Sequence, residues 1–590
     1  MEFHAKKIIF ARTLKTDHPD FTKSLFCTDI NKIELYGMVQ YLIDTIYMKN
    51  CLPFSALCAA LALSGCTSQN AAPQEESTEG KIVIYQMMVR LFGNENTTNI
   101  INGTREQNGC GRMSDITTEA LQSIKRLGAN YVWYTGIIQQ ATKTDWSAEG
   151  LPRQTADVIK GNAGSPYAIC DYYAVSADIA DNVSTRMEEF DALIKRTHEA
   201  GLKVVMDFVP NHVAREYQSV IKPEISLGVS DNTTVAFDAQ NNFYYFPGET
   251  LTWQNYKETP AKVTGNDVFA QATPAEWDWY ETVKLNYGVE YKADGTRENH
   301  FDPIPSTWDK MSDILLYWAD KGVDAFRCDM SEMVPSEFWH YGIGRVKEQH
   351  PDILFIAEIY NPKVYEDYIV TGGFDYLYDK VELYDSIRSV VEGRRPVDAI
   401  EACLSLPTYT NEKVAGHMLN FLENHDEQRI ASEFFGKNPQ AGIPALYVSA
   451  LINGNPYMQY FSQELGENAP DEEGYQGADG RTTIFDYWGL ERQKAWKAAN
   501  WDETKLPAEY KAIRARYEQV LKLAQHPAVI SGKTVNLTDE TLRAAKVFAF
   551  QRVIEGGESL TVVANFGDEP FSGRVNNEDV EVPAHDAITF

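Results

Sequence analysis

The stretch GVDAFRCDM, residues 322–330, is a mostly apolar run that ends with an arginine and an aspartate two positions apart. If the run is a strand, Arg327 and Asp329 project from the same face, about 6.6 Å apart at roughly 3.3 Å per residue. Phe326 and Cys328 then face the other side. The nine residues alone leave two interpretations open, a structural ion pair at an exposed strand end and a charged functional site.

Seven other β-rich runs alternate with helical patterns from about residue 81 onward, which is typical of βα units. Helical stretches such as residues 306–322 carry apolar residues at three-to-four spacing and end in glycine. We therefore predict a (β/α)8 TIM barrel over residues 81–212 and 301–506. The eight strand runs are KIVIYQMMVRLF (81–92), NYVWYTGII (130–138), KVVMDFVPNH (203–212), GVDAFRCDM (322–330), DILFIAEIY (352–360), GFDYLYD (373–379), HMLNFLENHD (417–426) and NPYMQYFSQE (455–464).

Two segments depart from this alternation. Roughly ninety residues rich in Asn, Tyr, Trp and Thr follow the third run, and so long a connection predicts an inserted functional subdomain, here residues 213–300. From residue 507 the pattern changes to one helix and then alternating runs such as VFAFQRV (547–553). This predicts a C-terminal helix and antiparallel β-sandwich over residues 507–590.

The composition excludes some classes of partner. With 590 residues, of which 44% are hydrophobic, the chain can build a large core and two or three domains. A formal net charge of -30 argues against nucleic acid or an anionic membrane surface, because phosphate contacts need clustered Lys and Arg. A neutral substrate fits better. The eight cysteines show no CxxC pair, which argues against a disulfide framework.

The N-terminal region contains MKNCLPFSALCAALALSGC, residues 48–66, with a lysine, a short apolar stretch and small residues before a cysteine. This is the layout of a signal peptide, and its last four residues resemble the bacterial lipoprotein box, which implies lipidation of Cys66. A buried helix and an uncleaved anchor are the alternatives. We expect a signal peptide at 48–65, a tether at 66–80 and, because a signal peptide begins its chain, a non-native extension at 1–47.

These expectations place the protein on a bacterial membrane, and on the outer membrane in particular. The lipid anchor would hold it there, and the periplasmic and cell-surface faces both stay open.

Polar side chains lie at the carboxyl ends of several of the predicted barrel strands. In barrels of this kind the active site lies at the carboxyl ends of the strands, so these side chains would converge on one mouth. Each alone is explained by a solvated loop or a helix cap, but several like charges gathered together are costly as mere structure. The set comprises Asp207, Asn211, His212, Arg327, Asp329, Glu358, Asn424, His425 and Asp426.

Four of these runs, DFVPNH, GVDAFRCDM, FIAEIY and FLENHD, resemble the four short conserved regions of the α-amylase superfamily, glycoside hydrolase family 13, in the family's order. GSPYAICDYYAV (164–175) and NPYMQYFSQELG (455–466) extend the resemblance, which covers about residues 80–590 and matches the insertion and the C-terminal region to the family's B and C domains. It implies a retaining glycosidase acting on α-1,4 bonds of starch-derived α-glucans or maltooligosaccharides.

The resemblance also implies roles for single residues. Asp329 would be the nucleophile, Glu358 the general acid/base, and Asp426 the third carboxylate, which binds sugar hydroxyls. We expect burial and neighbouring carboxylates to raise the pKa of Glu358, while Arg327, with Asp207 as its second partner, keeps Asp329 ionised.

Three further side chains would contact the sugar. His212 and His425 would hydrogen-bond it in the central subsite, and Tyr167 would lie against its apolar face. Ordinary packing is the alternative for Tyr167, because the family's Gly-Tyr is Pro166-Tyr167 in this chain.

The chain departs from the family pattern at two places. MSEM (330–333) stands where many starch-degrading members have a Lys-His pair, so cyclodextrin or pullulan hydrolysis and transglycosylation stay open, with a non-catalytic glycan-binding protein as a more distant alternative. For the family's structural Ca2+ the indications oppose each other: Asn211 matches one ligand, but Lys284 lies where an acidic ligand often lies. The loop GNENTTN (93–99) is either a solvated turn or a second ion site.

Overall fold

A computed structural model describes residues 80–475 and 477–590, and within these residues eight parallel strands close into a barrel. Each strand pairs with its neighbours along the chain, and the first pairs with the last. Every predicted run contains one of them. The strands are β1 Val83–Met88, β2 Tyr131–Thr135, β3 Lys203–Phe208, β4 Ala325–Cys328, β5 Leu354–Ala357, β6 Tyr376–Tyr378, β7 Met418–Phe421 and β8 Tyr457–Tyr460.

The alternation along β4 decides which residues enter the barrel. Ala325 packs inside with residues of other strands, whereas Phe326 and Cys328 lie in the larger core between strands and helices. Arg327 therefore points inward, and its side chain is 1% exposed. The prediction that Phe326 and Cys328 face the opposite side from Arg327 is confirmed.

Helices cover the outside of the barrel. They include α1 Thr118–Leu127, α2 Arg186–Glu199, α3 Ser306–Asp320, α4 Ser336–Lys347, α5 Tyr365–Val370, α6 Asp385–Val391, α7 Ile443–Leu451 and α8 Ala508–Leu523, and further helices span Asp398–Leu404 and Glu491–Ala498. The sequence grouped α8 with the C-terminal domain. In the structure α8 packs against α1 and α7, and Arg514 on α8 donates to the carbonyl of Ser123 on α1 at 3.0 Å.

The long connection between β3 and α3 is built from short hairpins. Its first strand, His212–Ala214, pairs antiparallel with Thr282–Lys284, so that His212 lies opposite Lys284. Val213 and Val283 belong to the same buried cluster as the barrel core. The other strands of the insertion are Tyr245–Phe246, Leu251–Trp253, Tyr256–Glu258, Ala261–Lys262, Val289–Tyr291 and Arg297–Asn299.

The C-terminal region contains two antiparallel sheets. One has four strands in the order Lys533–Asn536, Val547–Val553, Ser559–Asn565 and Asp586–Thr589, and the other pairs Phe571–Val575 with Glu578–Val582. Val563 of the larger sheet and Val580 of the smaller belong to one buried cluster, so the two sheets pack together as predicted.

Candidate active site

Arg327 lies at the centre of the barrel mouth and contacts three carboxylates. Its Nη1 lies 2.7 Å from Oδ1 of Asp329 and 3.4 Å from Oδ1 of Asp207, which is its aligned neighbour on β3. Its Nη2 forms an ion pair with Oε2 of Glu358 at 2.8 Å. The predicted pairing of Arg327 with Asp329 and Asp207 is confirmed, and Glu358 is a third partner. A planar guanidinium suits this arrangement because its donors point in fixed directions.

Glu358 follows β5 directly and, beside its ion pair with Arg327, receives hydrogen bonds from two donors. The hydroxyl of Tyr360 donates to Oε1 at 2.5 Å, and the backbone N–H of Met330 donates to Oε2 at 2.8 Å. Met330 adopts a left-handed conformation with φ of 43°, which is uncommon for a residue other than glycine. This local strain at the end of β4 accompanies the placement of its N–H on Glu358.

The directions in which the pKa values of Glu358 and Asp329 shift are opposite to the sequence prediction. Burial favours the neutral form of Glu358, but Arg327, Tyr360 and Met330 outweigh it, so the pKa of Glu358 lies below its ordinary value. Burial and the negative charge of Glu358 raise the pKa of Asp329 well above its ordinary value. The expectation of a raised pKa for Glu358 was wrong, because the sequence did not show how many donors converge on it.

Asp426 is the most accessible of the three carboxylates implied by the resemblance, with 34% of its side chain exposed. Its loss of hydration and the charge of Glu358 raise its pKa to about 6. The hydroxyl of Tyr475, from the loop after β8, donates to Oδ1 of Asp426 at 3.2 Å. Asp426 therefore lies at the rim of the mouth with its other oxygen, Oδ2, 3.2 Å from His425 Nε2.

His425 is a buried neutral side chain within a hydrogen-bond chain. Burial, and then the charge of Arg327, lower its pKa to about 3. The amide nitrogen of Gln86 lies 2.9 Å from Nδ1, so that Nδ1 accepts and the ring proton is on Nε2. Nε2 lies 2.6 Å from the hydroxyl of Tyr167, whose hydroxyl in turn donates to Asp207 at 3.4 Å.

The ring of Tyr167 lies between the ring of His425 and the guanidinium of Arg327. Its ring stacks on the ring of His425 with centroids 5.2 Å apart, and the Cζ atom of Arg327 lies 5.3 Å from the Tyr167 centroid. The indole N–H of Trp133 donates to Oδ2 of Asp207 at 2.8 Å. Burial raises the pKa of Asp207 to about 6. Tyr167, His425 and Asp207 thus belong to one hydrogen-bonded wall of the mouth.

His212 lies at the boundary between barrel and insertion. It is buried, and burial together with the charge of Lys284 lowers its pKa to about 3. Its Nδ1 lies 3.1 Å from the amide nitrogen of Asn211, and its ring meets the ring of Trp279 with centroids 5.2 Å apart. His212 is therefore a neutral hydrogen-bonding group, as its predicted contact with a sugar requires.

The residues around Asn211 do not fit a bound Ca2+. The ammonium of Lys284 donates to Oδ1 of Asn211, which is the oxygen that would bind the ion. Lys284 Nζ also forms an ion pair with Asp267 at 2.8 Å. A hard cation would need these oxygens as ligands, and the positive charge of Lys284 would repel it.

The loop GNENTTN is held by hydrogen bonds to the rest of the chain. Asn94 donates from its amide to the carbonyls of Asn108 and Trp488, each at 2.8 Å. Lys497 donates to the carbonyl of Gly93 at 2.9 Å and to Asp115 at 2.7 Å. A cation at this loop would also face a lysine.

Sequence reasoning missed four aromatic side chains that bind the charged groups. They are Trp133, Tyr360, Tyr378, whose hydroxyl accepts from Arg327 Nε at 3.2 Å, and Tyr475. Tyr360 had a signal, since in extended chain a residue two positions from Glu358 shares its face. Nothing in the sequence indicated Tyr475, because it lies in a loop far along the chain from Asp426, the carboxylate that it contacts.

A closed (β/α)8 barrel, with an insertion after its third strand and an arginine bound to three carboxylates at its mouth, has the fold and site of an α-amylase-type glycosidase. The family model for the α-amylase catalytic domain matches residues 86–552, which is most of the chain. The chain therefore belongs to the α-amylase family, glycoside hydrolase family 13.

Individual relatives are distant. The chain is 24% identical over 491 residues to the α-amylase MalA of Haloarcula japonica, a match that covers 83% of this chain and 56% of that protein. It is 22% identical to an α-glucosidase of Apis mellifera, covering 84% of this chain and 87% of that protein. This chain thus spans about half or less of the length of the first curated relatives.

Among solved structures, the cyclic α-maltosyl-(1→6)-maltose hydrolase of Arthrobacter globiformis has a TM-score of 0.57 at 17% identity. The match covers 86% of this chain and 98% of that one. At this sequence identity the similarity shows only that the two chains share a fold.

Proposed function

We propose that the protein is a retaining glycoside hydrolase that cleaves α-1,4-glucosidic bonds in starch-derived α-glucans or maltooligosaccharides. One observation carries the proposal: Asp329 and Glu358 contact neighbouring nitrogens of the same guanidinium at the mouth of the barrel, with Asp426 at the rim. A retaining glycosidase needs two carboxyl groups close together, one to attack and one to protonate. Family membership supports the same chemistry.

In the first step, the Asp329 carboxylate attacks the anomeric carbon while Glu358 gives its proton to the glycosidic oxygen. The bond to the leaving sugar breaks and a glycosyl ester forms on Asp329. In the second step, Glu358 takes a proton from water, and the oxygen of that water attacks the anomeric carbon and releases Asp329. Two inversions at this carbon retain the α configuration.

The two reaction steps need a protonated Glu358 and a charged Asp329 when the substrate is bound. In the free protein the contacts favour charge on Glu358 and a proton on Asp329. A glycosidic oxygen beside Glu358 accepts a hydrogen bond and so favours the protonated form of that carboxyl. Arg327 contacts both residues and neutralises whichever one is charged. Because the two groups interact strongly, their pKa values belong to the pair.

The environment of the pair suits an uncharged sugar. The protein is strongly acidic, and buried His212 and His425 offer neutral hydrogen bonds. On the leaving-group side, Ser331–Met333 form a short 3₁₀ turn, and Ser331 Oγ donates to the carbonyl of Cys328 at 2.8 Å. Because MSEM (330–333) contains no Lys-His pair, we expect contacts to the leaving sugar to differ from those that such a pair would provide.

The test is a product profile on starch, pullulan, cyclodextrin and maltooligosaccharides, followed over time by chromatography. Release of maltooligosaccharides from starch, with retention of the α configuration by NMR, is the expected result. Faster cleavage of cyclodextrin or pullulan than of starch would select the alternative hydrolase. Longer products from maltoheptaose would select transglycosylation, and no release by the wild type would contradict an enzymatic role.

We also propose that Cys66 carries a lipid anchor to a bacterial outer membrane. Cys66 and the predicted signal peptide lie outside the described residues, and the proposal rests on the sequence pattern at 48–66. In the described residues, 80–475 and 477–590, no helix combines the length and apolarity needed to cross a bilayer.

A further inference from the structure

Lys284 is a buried lysine whose ammonium contacts three separate segments. It ends the insertion strand Thr282–Lys284, and its side chain is 2% exposed. Nζ donates to Asn211 Oδ1 just after β3, and to the carbonyl of Met333 at 3.2 Å after β4. Its third partner, at 2.8 Å, is the carboxylate of Asp267 within the insertion.

These partners are the kind of oxygens that a hard divalent cation takes: an amide oxygen, a backbone carbonyl and a carboxylate. Nζ donates to the two neutral oxygens and forms an ion pair with Asp267 Oδ1 at 2.8 Å, so three oxygens surround the ammonium. It also brings one positive charge to the carboxylate of Asp267. A buried lysine in contact with an acidic partner and two neutral oxygens satisfies the rule that buried charges be paired.

We propose that Lys284 Nζ takes the place of a structural divalent cation, joining the insertion to the loops after β3 and β4 and making the fold of the mouth independent of metal. The joined loops carry site residues. Asn211 precedes His212 and contacts its Nδ1, and Met333 lies four positions after Asp329. The amide of Asn211 also donates to the carbonyl of Gly265 at 2.8 Å, which adds a second link to the insertion.

The first experiment measures the thermal unfolding of the full chain with EDTA and with added CaCl2. The wild type should show the same Tm in both, within about 1 °C. Lys284→Met removes the charge and leaves the partly buried Asp267 without its partner, so its Tm should fall by about 3 to 5 °C, with EDTA again without effect. A wild type that loses stability in EDTA and regains it with Ca2+ would overturn the proposal.

Lys284→Asp provides the converse test. It gives a second carboxylate beside Asn211 Oδ1, Asp267 and the Met333 carbonyl, which makes a set of oxygens for a cation. Its Tm should rise with Ca2+, and Tb3+ should show sensitised luminescence in this variant and none above background in the wild type. Equal Tb3+ signals in both proteins would contradict the assignment.

Lys292→Ala is the matched control, since Lys292 lies in the same insertion but is 40% exposed and pairs at the surface with Glu298. Its Tm and its response to EDTA should match the wild type. If Lys284→Asp does not fold, the comparison of wild type and Lys284→Met still decides. A Lys284→Met variant as stable as the wild type would show that the ammonium does not tie these segments together.

Discussion

Nη2 of Arg327 lies 2.8 Å from Oε2 of Glu358, so the guanidinium that binds the proposed nucleophile also binds the proposed acid/base. This contact favours the charged form of Glu358, whereas the first step of glycoside cleavage needs its protonated form. In the free protein the pKa of Glu358 is therefore lowered, with Arg327 as the largest cause that opposes burial.

The roles of the two carboxylates can be separated by leaving group. Asp329→Asn removes the covalent intermediate, so hydrolysis of every substrate should fall by about a thousandfold or more, about 4 kcal/mol of transition-state stabilisation. Glu358→Gln should lose comparable activity on natural maltooligosaccharides, but an aryl or fluoride maltooligosaccharide should give a burst of leaving group, because its departure needs no proton.

Added azide supplies the control for this pair. An anionic nucleophile needs no general base, so azide should speed the slow phase of Glu358→Gln and leave Asp329→Asn unchanged. Equal losses on activated and natural substrates in both variants, with no burst and no azide effect, would show that the roles are assigned wrongly.

The hydrogen bond from Tyr360 should be visible in the pH profile. Tyr360→Phe removes a donor to the charged form of Glu358, so the pKa of Glu358 should rise. Because the first step needs protonated Glu358, the high-pH limb of kcat/KM should move to higher pH. Tyr341→Phe, which removes a surface hydrogen bond to Asp309, is the control. A downward shift, or the same profile in both variants, would contradict this role.

Substrate binding should depend little on salt. The bound sugar is expected to be neutral, so screening of exposed charges between about 20 and 300 mM NaCl should change KM for maltoheptaose less than about twofold. The measurement is initial rate against maltoheptaose concentration at fixed pH and fixed divalent-ion concentration. A KM that rises steeply with salt would indicate a charged substrate instead.

The lipid anchor can be tested in a bacterial host. Cys66→Ala should release the protein from the membrane fraction, because the thioether that carries the lipid cannot form. Cys58→Ala, which changes another cysteine of the same apolar segment, should leave it in the membrane fraction. Retention of the Cys66→Ala variant after a carbonate wash would refute the assignment.

Much of the architecture was predictable because it depends on local pattern. Eight β-rich runs with helical stretches between them gave the barrel, and the polar ends of those runs gave Arg327, Asp329 and Glu358. The pattern was less informative about the residues at which each strand begins and ends. The run at 81–92 looked continuous, yet β1 ends at Met88 and Val89–Phe92 form a helical turn. Short apolar stretches do not distinguish strand from helix by periodicity.

The sequence by itself determined the fold class, the face of β4 that carries Arg327 and Asp329, and the family, because side-chain alternation and motif order are properties of the chain. Only the tertiary structure decided the pKa shifts of the site residues and the partners of the buried charged groups. Arg327 and the Met330 N–H lower the pKa of Glu358, and Lys284 meets Asn211 and Met333, through contacts between segments that are far apart along the chain and meet at the barrel mouth. Electrostatic energies depend on distance and burial in space, which residue spacing along the chain does not fix.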